Sequence, residues 1–413
     1  MACCIYSGTM TRRPSNGPPC TGSSGGISKP LGSIRPALDA RHAMDANRLP
    51  DDDTLFIRAA QREGLLTEEQ IADGRTLQEK MREMGLKPKP MGEIMQERTY
   101  LLPEEAQRVL ERVDKVKEAF RIPGYKLLKR LGRGSMGQVF LARQLNLDRM
   151  VAIKILARFL SENQAFVRRF MKEARVIGKL NHPNIVQGFD AGEAKGTYYF
   201  AMEYCSGPTL LSLLQRGGAL DQDRAINITH QVGRALNHAN TQGLVHRDVK
   251  PDNIMIVQGG VAKLCDLGLA KDVSRGSGST EKGATLGTPN YISPEQARGE
   301  AAVDIRSDLY SLGATLYHML TGVPPFAGPN PTVIMVKHLN EPPVPLKARN
   351  PDVDPELSRI CLKMLAKNPD DRYQEPAELI VDLENIEATR RGEPPPHPTT
   401  RGAPPVSPIR RRR

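Results

Sequence analysis

No stretch of this 413-residue chain approaches the roughly 18 consecutive apolar residues that a membrane-crossing helix needs. The N-terminus also lacks the apolar core of a secretion signal, so the cytoplasm is the expected location. Cysteine is scarce. Of six in the chain, three (Cys3, Cys4 and Cys20) lie near the start, and none forms a Cys-x-x-Cys pair. That pattern excludes a zinc knuckle or a disulfide frame as the organising feature and implies reduced thiols. Apolar residues make up only 39% of the chain, low for a wholly globular sequence, which points to disordered flanks.

Positive charge is present but unevenly placed. The formal net charge is +11, of which residues 1–50 contribute +4 and residues 389–413 contribute +6. The middle of the chain is almost neutral, so a nucleic-acid-binding domain is not what the total implies. Both ends are rich in Gly, Pro and Ser and read as disordered segments. The Arg410–Arg413 ending could serve contact with RNA or other nucleic acid, an acidic partner or anionic lipid, though simple solvation is the favoured reading.

Chemistry is concentrated between these ends. Gly132-Arg133-Gly134-Ser135-Met136-Gly137 fits a dinucleotide fingerprint only if a strand precedes it and a helix follows. Here both flanks, Tyr125–Leu131 and Gln138–Arg143, read as strands of a hairpin. Glycines at its tip let backbone amides approach phosphates closely. Lys154 follows, 22 residues beyond Gly132, on a third apolar strand. Further on, Phe166, Phe170 and Ile177 share one face of an amphipathic helix, and Glu173 sits on the same stripe. An inward carboxylate needs a cationic partner, and Lys154 is the natural one.

Four more signatures complete an ordered series with the glycine stretch: Val151-Ala152-Ile153-Lys154, His246-Arg247-Asp248-Val249-Lys250-Pro251-Asp252-Asn253, Asp266-Leu267-Gly268 and Ser293-Pro294-Glu295. In this order they match the protein-kinase set. Between about Gly124 and Ala388 the chain resembles a serine/threonine protein kinase, of the bacterial eukaryotic-like branch by Tyr291–Glu300. The resemblance implies an α+β, two-lobed fold: a small β-rich lobe with one key helix, and a larger helical lobe.

It also implies roles. Asp248 accepts or orients the proton of the attacking hydroxyl, Lys250 steadies the transferring phosphoryl group, and Asn253 and Asp266 hold Mg2+. Lys154, paired with Glu173, grips the phosphates of ATP beneath Gly132, Gly134 and Gly137. Val139, Ala152 and Met255 sandwich the adenine, Met202 stands behind it, and backbone groups of Glu203 and Cys205 bind its edge. Glu295 pairs with Arg372, and Asp308 braces the catalytic loop. Leu267 and Ser293 depart from the commonest family wording without touching the reacting groups.

The implied activity is that of an ATP-dependent, non-specific serine/threonine protein kinase acting on protein Ser/Thr hydroxyls. Self-association would allow autophosphorylation in trans. Arg247 suggests a phosphorylated activation loop, with Ser274, Ser277, Ser279, Thr280 and Thr285 as acceptors and Thr288 as a contact of Asp248 and Lys250. Cys265 is expected to face the nucleotide. The alternative is a nucleotide-binding pseudokinase scaffold, against which stands the presence of Lys154, Asp248, Asn253 and Asp266 together.

Residues 51–120 stand apart. Leu65-Leu66-Thr67-Glu68-Glu69-Gln70 recurs 36 residues later as Leu101-Leu102-Pro103-Glu104-Glu105-Ala106. Thr67 reads as an N-cap and Pro103 as a helix start. The tandem is similar to the small helical N-terminal domains of bacterial secretion ATPases and reads as a docking or regulatory module, with a pair of unrelated helices packed on the kinase domain as an equal alternative. The domain plan is thus 1–50, a basic segment; 51–120, a helical module; 124–388, the kinase domain; and 389–413, a Pro/Arg-rich tail.

Overall fold

The computed structural model describes residues 51–119, 121–134, 136–266, 289–300 and 302–398. The basic segment 1–50, the three cysteines within it, Leu267, all the proposed loop acceptors, Thr288 and Arg410–Arg413 lie outside the described residues. The chain divides into a helical unit that runs to Leu110, with Leu128–Arg130 grouped with it, and a larger unit that takes Glu111–Leu127 and continues from Leu131.

The helical unit holds α1 (Asp52–Arg62), α2 (Glu68–Glu83), α3 (Met91–Glu97) and the start of α4 (Pro103–Ala119). Local chemistry sets each start. Asp51 accepts from the Thr54 amide at 2.8 Å, and Thr67 and Gln70 form a reciprocal capping box. Pro103 opens α4, where the Leu102 amide donates to Glu105 Oε2 at 2.9 Å. The repeated Leu-Leu-x-Glu-Glu segment is therefore twice a helix entry. Asp53 on α1 ties the helices together, accepting from the Met91 amide and from Gln78 Nε2, both at 2.7 Å. Gly74 lets α2 meet α3, since a Cβ there would lie 2.3 Å from Met95 Cε.

In the larger unit, β1 (Tyr125–Arg133), β2 (Gly137–Gln144) and β3 (Arg149–Leu156) lead into the short α5 (Arg158–Ser161) and α6 (Gln164–Ile177). Then come β4 (Gly188–Ala194) and β5 (Thr197–Glu203), giving one sheet in the order β1-β2-β3-β5-β4. The rest is mostly helical: α7 (Leu210–Gly217), α8 (Gln222–Thr241), the ribbon β6 (Ile254–Ile256) and β7 (Ala262–Leu264), then α9 (Pro294–Arg298), α10 (Ile305–Thr321), α11 (Pro331–Asn340), α12 (Leu346–Arg349), α13 (Pro355–Met364) and α14 (Pro376–Arg390). This is the α+β arrangement that the motifs imply.

The helical part is built around α10. Every residue from Ser307 to Leu320 is buried, because its sequence is mostly apolar or small on all sides, with Asp308 and His318 as polar exceptions. Helices α8 and α13 pack on it. At its start, Arg372 and Glu295 form a buried bidentate pair, at 2.8 and 3.0 Å, and Ser307 Oγ donates to the same carboxylate. Arg372 Nε and Nη2 also donate to the carbonyls of Ala366 and Lys367. The expected partner of Glu295 is thus the one observed.

Two expectations need correction. The buried stripe of α6 starts at Val167, not Phe166, which is only half-buried and lies under the Arg169 guanidinium. Phe166 stands four residues before Phe170 and Val167 three, and both spacings share a helix face until packing selects one. The tail also begins later than residue 389. Helix α14 runs to Arg390, and Glu393 and His397 return amide hydrogen bonds to the Ala388 carbonyl and to Asn385 Oδ1.

Arg372→Ala should strip a buried carboxylate of its partner and cost about 3–5 kcal/mol of stability. Urea unfolding of the larger unit is the measurement; a loss under about 1 kcal/mol would show the pair to be ornamental.

Candidate active site

Strand register assembles the nucleotide-facing wall. Val139 pairs with Lys154, and Ala152 pairs with Met202. Directly paired residues share a face, as do residues two apart, so Val139, Ala152, Lys154 and Met202 all lie on one side of the sheet. The hairpin before them closes through the Gly134 amide, which donates to the Gly137 carbonyl at 2.8 Å. Gly137 admits no side chain: a Cβ would stand 1.8 Å from the Ile155 carbonyl oxygen. Gly132 ends up on β1 and Gly134 at the turn.

Lys154 stands between two carboxylates. Its Nζ is 3.0 Å from Asp266 Oδ1 and 3.7 Å from Glu173 Oε1. The shorter contact decides the charge. Burial works against ionised Asp266, yet the Lys154 ammonium holds its pKa below the usual carboxylate value. At Glu173 burial dominates and pushes the pKa up; Lys154 opposes this, and the Asp266 charge adds to it. Asp266 itself has φ 55°, a left-handed backbone that a non-glycine residue holds only under constraint.

The second cluster lies on the loop between α8 and β6. Asp248 Oδ2 receives Lys250 Nζ and Asn253 Nδ2, both at 3.0 Å, and Asn253 Nδ2 also donates to the Asp248 carbonyl at 2.9 Å. Burial alone would lower the Lys250 pKa, but the Asp248 and Asp252 charges outweigh it and raise the value. The two clusters adjoin, since the Asn253 carbonyl accepts from the Cys265 amide at 2.9 Å. Asn253 Oδ1 is buried and has no hydrogen-bond partner among the described residues.

Arg247, at φ 65°, is the second strained position. It is held from beneath: Asp308 on α10 accepts the His246 amide at 2.6 Å and the Arg247 amide at 2.7 Å. Gln296 Nε2 secures the Arg247 carbonyl at 2.9 Å. His246 gained no role from its place in the motif, yet it joins the clusters. Its Nδ1 accepts the Asp248 amide at 3.3 Å, which leaves the proton on Nε2 to donate to the Cys265 carbonyl at 3.2 Å. Neither bond has a signal in residue spacing.

The remaining candidates are placed as follows. Met255 is buried on β6, bridged to Thr209, and Cys205 is buried beyond β5, its thiol pushed up to about 12 by burial and then by Glu203. Glu203 uses its amide on the Gln187 carbonyl and its carboxylate on Lys263, at 2.8 Å each. Cys265 donates its thiol to the Asn253 carbonyl at 3.3 Å and, with Met202, Leu180, Val186 and Leu264, lines a small cavity. The thiol is thus turned to a backbone carbonyl beside Met202.

A family model described as "Protein kinase domain" matches residues 125–382. The serine/threonine-protein kinase PknB of Mycolicibacterium smegmatis is 46% identical over 264 residues, covering 63% of this chain and 42% of that protein. PknB of Mycobacterium tuberculosis is 43% identical over 279 residues, covering 66% and 44%. The chain spans less than half the length of the curated relatives it matches. Among solved structures, the M. tuberculosis PknI kinase domain is similar with a TM-score of 0.53 and 28% identity, covering 66% of this chain and 98% of that one.

Burial raises the Asp308 carboxyl to about 7, with the Asp248 charge adding to it, against the favourable pull of the two amides and the Arg247 charge. Between roughly pH 4 and 7 the folded state keeps a proton that the unfolded state has lost, so stability should fall as pH rises through that window, by roughly 2–4 kcal/mol. Asp308→Asn should flatten this slope. Urea midpoints measured across the window for both proteins give the comparison; parallel curves would remove Asp308 as the source.

Proposed function

This chain belongs to the protein kinase family, on its bacterial serine/threonine branch, and from that premise we propose that it transfers the γ-phosphoryl group of ATP to serine and threonine hydroxyls of proteins. The observation that carries the reading is the convergence of Lys154, Asp266, Asn253, Asp248 and Lys250 in two adjoining clusters.

Protein kinases use ATP and Mg2+. The chain's own atoms fit such a ligand: Asn253 Oδ1 is a buried oxygen in want of a partner, and Asp266 is kept ionised. Oxygen donors of this kind suit a hard divalent cation. Mg2+, when bound by Asn253 and Asp266, supplies charge neutralisation at the phosphates. Lys154 would leave its contact with Asp266 in part to meet the phosphates, with Glu173 keeping the ammonium in place.

Asp248 is the group to receive the hydroxyl proton. Its Oδ2 is oriented by hydrogen bonds from Asn253 Nδ2 and Lys250 Nζ, which aim the carboxylate for that role. Lys250 would then shift to the transferring phosphoryl oxygens. Val139, Ala152 and Met255 form the apolar walls for adenine, Met202 closes the rear, and the backbone at Glu203 and Cys205 meets the ring edge. Gly132, Gly134 and Gly137 bring amides over the phosphates, and at Gly137 no other residue fits.

Among the described residues no helix is long and apolar enough to cross a membrane. Use of ATP supports a cytoplasmic site of action. Self-association would allow transfer between copies, with the loop acceptors between Lys271 and Leu286 as substrates. Mass spectrometry after incubation with ATP and Mg2+ should find phosphate there. A loop free of phosphate in active protein, with activity indifferent to Ala at Ser274, Ser277, Ser279, Thr280 and Thr285, would end that part of the proposal.

Two variants separate chemistry from binding. Asp248→Asn should lower phosphoryl transfer about 10²–10⁴-fold while leaving Mg-nucleotide affinity within about twofold. Asp266→Asn should weaken nucleotide binding only when Mg2+ is present. Equal affinities for the two variants with Mg2+ would contradict these roles.

A further inference from the structure

A cavity of about 620 Å³ lies between α8 and α14, and none of the residues assigned to the nucleotide or to transfer lines it. Helix α8 contributes Arg234, Asn237, His238 and Thr241, whose spacings of three, one and three residues put them on one face. Across from them Ile380 and Glu384 stand one turn apart on α14. His182 enters from the loop between α6 and β4.

Three donors in this lining have no acceptor among the described residues. His182 Nδ1 accepts the Asn184 amide at 3.1 Å, so the neutral ring carries its proton on Nε2, which is left without a hydrogen-bond partner. The Arg234 guanidinium is exposed and has no acid within 4 Å. The Asn237 amide is unengaged as well. Beside them the His238 ring stacks on His182, centroids 5.3 Å apart, and its buried Nε2 also lacks a partner.

The acids that could neutralise this group are committed elsewhere. Glu384, the one carboxylate in the lining, receives His397 Nε2 at 2.6 Å and stands 3.5 Å from His230 Nε2. On the same helix Glu387 stands 3.6 Å from His230 Nδ1, and Asp382 accepts from Arg359 and Tyr373. Along α8 no acidic residue follows Asp223. The His182 ring registers the resulting field: burial first, then the His238, Arg234 and Lys263 charges, hold its pKa below the ordinary imidazole value. Solvation accounts for one arginine on a helix surface, but not for unanswered donors from two elements around one recess.

We propose that this cavity is a binding site for a small organic phosphate, a phosphomonoester on a compact, partly apolar body. A guanidinium presents a planar fork of donors that suits two phosphate oxygens, and the His182 Nε2–H and the Asn237 amide serve the third. The volume falls within the range of small-ligand sites and far exceeds the roughly 30 Å³ that one water occupies, so a bare ion would leave most of it to solvent. Ile380 and the two stacked imidazoles give the organic body its less polar wall.

The probe is phenyl phosphate, titrated calorimetrically into the full chain with Mg2+ and a non-hydrolysable ATP analogue present to occupy the nucleotide site. One molecule per chain should bind, at least about threefold more tightly than inorganic phosphate and about tenfold more tightly than phenol. Arg234→Gln and His182→Gln should each weaken binding about tenfold. Arg224→Gln, ten residues earlier on the same helix, should bind as wild type does. Thermal midpoints without ligand show that the variants are folded, and Arg234 is exposed, so that variant is readable even if His182→Gln disturbs its loop.

Binding that survives both substitutions, phenol that binds as well as phenyl phosphate, or no binding up to about 10 mM would overturn the proposal. Equal affinity for inorganic phosphate would refute the organic body and overturn it too. Failure of the ATP analogue to bind would count against the kinase reading alone, because the effect of Arg234→Gln on phenyl phosphate is read separately.

Discussion

A single ammonium shared by two buried carboxylates links the parts of the candidate site. Lys154 comes from the middle of a sheet, Asp266 from just past the β6–β7 ribbon, and Glu173 from a helix. Two negative charges and one positive leave the cluster one charge short of neutrality in surroundings where uncompensated charge is expensive. The opposed pKa shifts express that deficit: the nearer carboxylate stays ionised and the farther is driven toward its neutral form. A second cation at Asp266 would remove the deficit and free Lys154 for Glu173. The lone pairs of Asn253 Oδ1, without a donor among the described residues, point to the same requirement from the other side.

The catalytic loop is fixed by different means. Its two strained neighbours, Arg247 and Asp266, adopt left-handed backbone conformations that cost energy. That cost is met by backbone hydrogen bonds to side chains that cannot move. Asp308 sits on a helix with no exposed face, and its two oxygens take adjacent amides. His246 then carries the constraint across to the Cys265 carbonyl, so the turn that aims Asp248 and the turn that aims Asp266 are set by one imidazole. A buried carboxylate is a costly brace, but an alternative acceptor of the same reach and two-pronged geometry does not exist among the side chains.

Much of this was legible in the sequence because motif residues act through type and order. Lys154, Asp248, Asn253 and Asp266 were identifiable before any contact was known, and the inward position of Glu173 followed from helical spacing. Periodicity failed at Phe166, where two adjacent apolar residues compete for one face and only packing decides. The tail boundary failed for a related reason: Thr389 to Pro398 reads as Pro-rich and polar, yet Asn385 and Ala388 supply acceptors that hold it to α14. The shared use of His246 and the grip of Gln296 on Arg247 were invisible, since each joins residues far apart in the chain through atoms whose roles depend on folded geometry. Cys265 shows the same limit, its thiol engaged by a carbonyl that spacing cannot reveal.

These two modes of attachment make the site unequal in stiffness. Asp248, Lys250 and Asn253 are tied through several short hydrogen bonds to one another, and their loop is tied to the fully buried α10. Moving them would mean repacking the core of the helical part, where interiors are dense and resist small displacements. Glu173, by contrast, reaches Lys154 through one contact at 3.7 Å, from a helix whose outer face is charged and solvent-exposed. Displacing α6 by a fraction of its width alters that contact while leaving the catalytic loop untouched. The Lys154–Glu173 contact is therefore the softer of the two attachments, and the loop tied to α10 the stiffer.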